Sequence, residues 1–224
     1  MKIGNKKILK YDDLKNIIAG ENNERLVILN KAVPEIVCAY KKIDMVKYVG
    51  QNILVREKVA FKLKKVNNQL KKIMPGAKLK VVYGYRRPLI QKKYFNDILK
   101  ELRNKYPEKN EKALIALAHN FVAVPDVAGH PVGGAIDLTI ELNSREIDMG
   151  TEIAEFSRPD KIKTFSARLN KAQANNRLLL CDLMLDQGFA PFYGEWWHFS
   201  YGDKEWACFY GRKRSLYSSK NIKI

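Results

Sequence analysis

Two short segments hold two of the chain's three histidines, and each segment sets a histidine near a carboxylate: Ala128-Gly129-His130-Pro131-Val132-Gly133-Gly134-Ala135-Ile136-Asp137 and Glu195-Trp196-Trp197-His198. Taken singly, His130 reads as lining a glycine-rich turn and His198 as a core imidazole bonded to backbone. Taken together they point to metal-ligand chemistry, because imidazoles beside carboxylates in glycine- and tryptophan-rich settings make poor surface residues. That reading constrains the fold. The middle of the chain must lie against its C-terminal part, with Asp137 and both imidazoles on one side of whatever joins them.

The hydrophobic pattern shows how this is done. Val55, Val59, Leu63, Val66, Leu70 and Ile73 step by three or four and predict a lysine-faced helix that Pro75-Gly76 ends. Residues 79–85 alternate as a strand and deliver Arg86-Arg87-Pro88 to its end. Ile90, Tyr94, Ile98 and Leu102 mark a second helix stopped by Tyr106-Pro107; Ala113, Leu114, Leu117 and Phe121 mark a third, with Asn110 as N-cap. A Pro/Gly-rich loop over 124–134 leads into residues 135–142, where Ile136, Leu138, Ile140 and Leu142 share one strand face and Asp137, Thr139 and Glu141 the other. Residues 143–165 read as loop and 166–187 as helix with Gly188 as its stop. Two aromatic strands over 195–201 and 205–210, joined by Gly202-Asp203, read as a hairpin.

The expected fold is α+β: a single domain over 1–224 with a small antiparallel sheet carrying the site, flanked by helices. Residues 1–54 are expected to pack on it as an N-terminal extension and 218–224 to form a loose tail. Cys38, Cys181 and Cys208 are odd in number and widely spaced, which argues against disulfides and thiolate metal knots alike. The N-terminal residues lack a secretory apolar stretch and no segment reads as a membrane span, so the expectation is a cytoplasmic protein, with periplasm or cell envelope as the alternative. A net charge of +17 comes from lysines spread at helical intervals, which reads as solvated helix faces and assigns no nucleic-acid partner.

Two imidazoles and one carboxylate suffice for a catalytic zinc that keeps a position for water, so His130, Asp137 and His198 are the expected ligands of one Zn2+. A bend through the two tryptophans would let Glu195 reach that water as general base, its pKa raised by the apolar wall of Trp196 and Trp197. His119 is expected to cap or pack at its helix end and to bind no metal.

The pattern His130-x-x-Gly133-x-Ala135-x-Asp137 with Glu195-Trp196-Trp197-His198 resembles the zinc D-alanyl-D-alanine dipeptidase family, which is related to zinc D,D- and L,D-carboxypeptidases. The resemblance extends in order through residues 55–60, 75–82, Gly84-Tyr85-Arg86, Met149-Gly150-Thr151, 176–179 and Gly188-Phe189. It implies the same zinc ligands and base, and an arginine that stabilises the oxyanion: Arg86 counting from Gly84-Tyr85, Arg87 counting back from Pro88, with Arg86 preferred because Gln91 then falls at the family distance. Tyr85, Glu152 and Trp197 are the expected substrate contacts. Two positions depart from the pattern: Ala128 stands where the family commonly has Ser, and Ala154 where the dipeptidases have the Asp that holds the substrate's ammonium. The resemblance thus implies hydrolysis of D-Ala-D-Ala by attack of zinc-bound water on a small peptide ending in D-Ala. The alternatives are a D,D- or L,D-carboxypeptidase acting on peptidoglycan stems, and a non-catalytic basic protein binding nucleic acid or wall polymer.

Overall fold

In the computed structural model residues 7–220 are described. The elements run α1 (Tyr11–Leu14), β1 (Leu26–Ile28), α2 (Leu29–Ala32), β2 (Val37–Cys38), α3 (Val46–Val49), β3 (Leu54–Arg56), α4 (Glu57–Ile73), β4 (Ala77–Tyr83), α5 (Pro88–Lys105), α6 (Glu111–His119), β5 (Ala135–Leu142), β6 (Arg145–Glu146), α7 (Lys171–Asp186), β7 (Ala190–Pro191), β8 (His198–Ser200) and α8 (Lys204–Phe209). The central sheet has the order β2-β4-β5-β8-β7, with β6 also pairing β5, and β1 pairs β3 in a separate ribbon. This is the α+β arrangement expected, with one difference: β2 lies parallel to β4, so the sheet is not wholly antiparallel.

Alternation along β5 sorts its side chains. Ile136, Leu138 and Ile140 are fully buried in a core built with Val59, Leu63, Val66 and Leu70 of α4 and Leu180, Leu183 and Met184 of α7. Burying each such side chain stabilises the fold by about 1.5 to 3 kcal/mol. Asp137 is left to the opposite face. A second apolar cluster, Phe95, Leu99, Leu102, Leu114 and Ala118, joins α5 to α6.

Several helix ends follow their sequence signals. Asn110 Oδ1 accepts from the Ala113 amide, and Gly76 and Gly188 take φ of +85° and +74° where α4 and α7 stop. Helix α7 starts at Lys171 and not at 166, because Asn170 and Gln173 form a reciprocal capping box that fixes its first turn there.

The predicted hairpin over 195–210 is replaced by strand then helix. Asp203 Oδ1 accepts from the Trp206 amide and caps α8, so the aromatic run after it coils, and β8 finds its outer partner in β7. Residues 7–54 are no mere extension, since Val37–Cys38 forms an edge of the central sheet. The tail expected from Ser218 is tied down at its start: the Ser218 carbonyl accepts from Arg56 Nη2 and the Lys220 amide donates to the Pro131 carbonyl. Residues 221–224 of that tail lie outside the described residues. All three cysteines are free thiols. Among the described residues no helix is long and apolar enough to cross a membrane.

Candidate metal centre

Asp137 and His198 sit directly opposite each other in the antiparallel register of β5 and β8, which puts both side chains on the same sheet face. His198 Nδ1 lies 3.0 Å from Asp137 Oδ1. His130 enters from the loop before β5, where Gly133 takes φ +73° and lets the chain turn back into the strand. Its Nδ1–H donates to the Gly84 carbonyl at 2.8 Å, leaving Nε2 3.5 Å from Asp137 Oδ2. The ligand atoms of His130, Asp137 and His198 all lie within 4.8 Å of one another. Two nitrogens and one carboxylate oxygen around one point are a donor set that zinc accepts.

The charges suit this role. Burial pushes the His130 imidazole down to about 3, with the Arg86 charge adding and Asp137 opposing, so it stays neutral. Burial would raise Asp137, but the two imidazoles and Arg86 outweigh it and hold the carboxylate below its usual range. Burial disfavours a charged His198 too, yet Asp137 on one side and Glu205 on the other raise its pKa well above the usual value.

The expected bend through the tryptophans is present: the His198 amide donates to the Glu195 carbonyl, and Glu195 faces the cavity that the cluster opens into. Burial raises the Glu195 carboxyl to about 7, Asp137 and Glu205 adding to the shift. A carboxyl poised near neutrality suits proton transfer in both directions.

Arg86 arrives at the end of β4. The register slips between Val81 and Tyr83, a bulge that re-aims the strand end at the site. The Arg86 amide donates to the His130 carbonyl, so strand end and metal loop are stitched together. Arg86 Nε donates to Tyr83 Oη at 3.1 Å and Nη1 to Gln91 Oε1 at 2.8 Å, and its guanidinium stacks 4.6 Å from the Tyr83 ring centroid. Arg86 lines the cavity. Arg87 turns away and stacks on Tyr48 at 4.3 Å. Of the two arginines left open by the sequence, Arg86 is the one beside the cluster.

The cavity has a volume of about 410 Å³ and is bounded by the cluster, Glu195, Arg86, α5, residues 119–123 and residues 153–156. Trp197 lines it. The other two expected substrate contacts do not. Tyr85 is fully buried with its hydroxyl donating to the Lys220 carbonyl, and Glu152 points to solvent in an ion pair with Lys41. Tyr85 lies past the end of β4, where its amide donates to the Leu54 carbonyl and its ring packs beside Met45, and the turn at Ala154, with φ +62°, puts the alanine and not Glu152 on the lining. His119 lines the cavity but its Nδ1 accepts from the Val124 amide, outside the metal cluster.

Sequence reasoning missed Asp44, whose carboxylate accepts from both Tyr83 and Tyr94 hydroxyls at 2.6 to 2.9 Å and so fixes the aromatic bed under Arg86. It also missed Glu205, which lines the cavity behind His198. An Asp203 recognised as a helix cap would have placed Glu205 in a first helical turn beside β8.

Residues 36–218 match a family model, Peptidase M15, described as D-ala-D-ala dipeptidase. A stretch of 94 residues is 34% identical to a D-alanyl-D-alanine dipeptidase of Synechocystis sp., covering 38% of this chain and 38% of that protein, so the match spans well under half of the curated relative. Among solved structures, the LdcB LD-carboxypeptidase superposes with TM-score 0.46 at 22% identity over 82% of this chain and 72% of that one. The vancomycin-resistance D,D-dipeptidase VanXYg, bound to a D-Ala-D-Ala phosphinate analogue, gives 0.41 at 22% over 86% and 65%. VanYB with D-alanine-D-alanine gives 0.43 at 16% over 73% and 82%. These superpositions are too loose to bear on the site.

Proposed function

The chain belongs to the D-Ala-D-Ala dipeptidase family of peptidases, and from that premise we propose that it is a zinc-dependent peptidase cleaving the amide bond next to a terminal D-alanine. The observation that carries the reading is the convergence of His130, Asp137 and His198 on one wall of a cavity that Glu195 and Arg86 also face. Bound there, zinc supplies Lewis acidity to the water and carbonyl of the reaction. Glu195 takes the proton of the attacking water and passes it to the departing amine, a double role that a pKa of about 7 permits. Arg86, held by Tyr83 and Gln91, offers its remaining donors to the oxyanion that develops on the carbonyl. Trp197 and Phe156, in edge-to-face contact, line one side of the cavity.

One observation favours an N-acylated substrate over the free dipeptide. The carboxylates on the cavity lining are Asp97, Asp137, Glu195 and Glu205; Asp97 pairs with Lys93 and the other three belong to the cluster and its neighbours. Ala128 and Ala154 add no acceptor. A free substrate ammonium would be poorly paired there, whereas an amide nitrogen needs no counter-charge. Lys42, exposed at the rim with its Nζ 4.7 Å from the Tyr94 ring, suits a substrate carboxylate instead.

The test is to measure zinc by emission spectroscopy in the purified protein and alanine release from free and N-acylated D-Ala-D-Ala, with and without chelator. One zinc per chain and chelator-sensitive release support the proposal. A protein that takes up no metal and releases no alanine from either substrate overturns it. Faster turnover of the free dipeptide would overturn only the preference for the acylated one.

A further inference from the structure

The two imidazoles of the cluster present different nitrogens to Asp137, and each is backed by a different kind of group. His130 turns Nε2 inward and anchors Nδ1 on a backbone carbonyl, that of Gly84, at 2.8 Å. His198 turns Nδ1 inward, 3.0 Å from Asp137 Oδ1, and its Nε2 lies 3.4 Å from Glu205 Oε2. Glu205 is itself buried, 9% exposed, and its Oε1 has no hydrogen-bond partner. Among the described residues, His198 is the one basic side chain within ion-pair distance of it. An acceptor oxygen placed against Nε2 in a buried setting is matched by an imidazole that carries its proton on that nitrogen.

Glu205 is held in place by its neighbours. Ser200 Oγ donates to Oε2 at 3.4 Å, and the Asp203 cap starts the helix that carries it. Asp203 in turn fits against the metal loop so closely that a Cβ on Gly129 would lie 2.2 Å from its Oδ2. The backing carboxylate and the loop that carries His130 are therefore packed as one unit.

We propose that Glu205 is a positioning residue which, by holding the Nε2–H of His198, presets Nδ1 as the nitrogen offered to the metal. The inference rests on the zinc reading above and goes beyond the ligand set. Carboxylates that back a ligating histidine fix its tautomer and orientation, and removing them typically weakens metal binding 10- to 100-fold.

The experiment compares wild type, Glu205→Gln and Glu205→Ala for zinc affinity by chelator competition, with circular dichroism and thermal melting of each metal-free protein. The cadmium-113 forms of 15N-histidine-labelled protein then report through metal–nitrogen coupling which nitrogen of His198 is bound. Glu205→Ala is expected to lose about 10- to 100-fold in affinity and to show mixed Nδ1 and Nε2 coupling. Glu205→Gln, which keeps an acceptor oxygen, should recover most of the affinity and pure Nδ1 coupling. If both folded variants match wild type in affinity and coupling, the inference fails while the zinc reading stands. Should the alanine variant not fold, the glutamine variant decides: mixed coupling or Nε2 coupling in it overturns the role of the acceptor oxygen, and pure Nδ1 coupling supports it. A wild type that binds no metal overturns the zinc reading and this inference with it.

Discussion

The wall of the cavity that carries the metal cluster and the wall that faces it are held in place by different means. On the first, Asp137 and His198 are paired by strand register, and His130 is bonded to the end of β4 through side chain and backbone. On the second, residues 147–170 form neither helix nor strand, yet the run stays ordered around one buried side chain. Arg177 of α7 donates to the carbonyls of Met149, Lys161 and Lys163 and to Thr151 Oγ1, and Trp196 Nε1 donates to the same threonine. Register admits no slip, because a shift of one residue would turn Asp137 into the core. Carbonyl acceptors ignore side-chain identity, so positions such as Ala154 can change without loosening the wall that presents them. The side chains of the cluster are fixed on one side, and the lining residues are free to vary on the other.

The sharpest way to break that division is at the base. Glu195→Gln is expected to lower turnover by about 10²- to 10⁴-fold with zinc content and melting temperature near wild type, since it removes proton transfer and no ligand. Equal loss of metal would show that Glu195 belongs to the cluster itself. Next in size is Arg86→Ala, expected to cost about 10²- to 10³-fold in kcat as for other oxyanion donors, while Arg87→Ala leaves kcat close to wild type. A reversal of that pair in steady-state assays would move the oxyanion role off the arginine bonded to Tyr83 and Gln91.

Arg177→Met probes the opposite wall. It strips donors from three backbone carbonyls and is expected to cost about 1 to 3 kcal/mol or more in urea denaturation, since each buried acceptor left unpaired costs about that much. Because the metal wall keeps its own bonds, KM should rise by more than kcat falls and zinc affinity should hold. A matching loss of zinc affinity would mean the two walls are not separable.

The same division governs what could be read from the sequence. The cluster was legible because its constraints are local and periodic: alternation over 135–142 put Asp137 opposite the apolar face, and the Glu-Trp-Trp-His spacing needed only a bend. The facing wall was not, because its order comes from Arg177, a residue in a helix whose pattern gives no hint that its side chain reaches back to carbonyls in an irregular run. Tyr85 and Glu152 both lie next to cavity residues in sequence, but the bond of Tyr85 to Leu54 and the Ala154 turn set their direction. The aromatic run over 205–210 has strand propensity, yet one capping aspartate, Asp203, starts a helix there.

A second arginine ties the His130 loop to Glu21 and Ser218, and one of its partners is a carboxylate. Arg56, fully buried, donates through Nε to the Val132 carbonyl of the His130 loop at 2.7 Å, and through Nη1 and Nη2 to Glu21 at 3.2 and 3.3 Å. Arg177 has only neutral acceptors among its hydrogen bonds. Partial burial works to raise the Glu21 carboxyl, but bonds from Arg56, Ser218 and the Asn23 amide outweigh it and hold it down at about 2, against an ordinary 4.5. A carboxyl depressed in the folded state adds stability that is full above about 4.5 and is lost as pH falls toward about 2. The size is modest, since Glu21 keeps 27% side-chain exposure and solvent screens the pair. In urea titrations from pH 6 to pH 2.5, wild type should exceed Glu21→Gln at neutral pH and converge on it in acid. A wild-type advantage over Glu21→Gln that does not shrink with falling pH would show that Glu21 stabilises the loop by shape and not by charge.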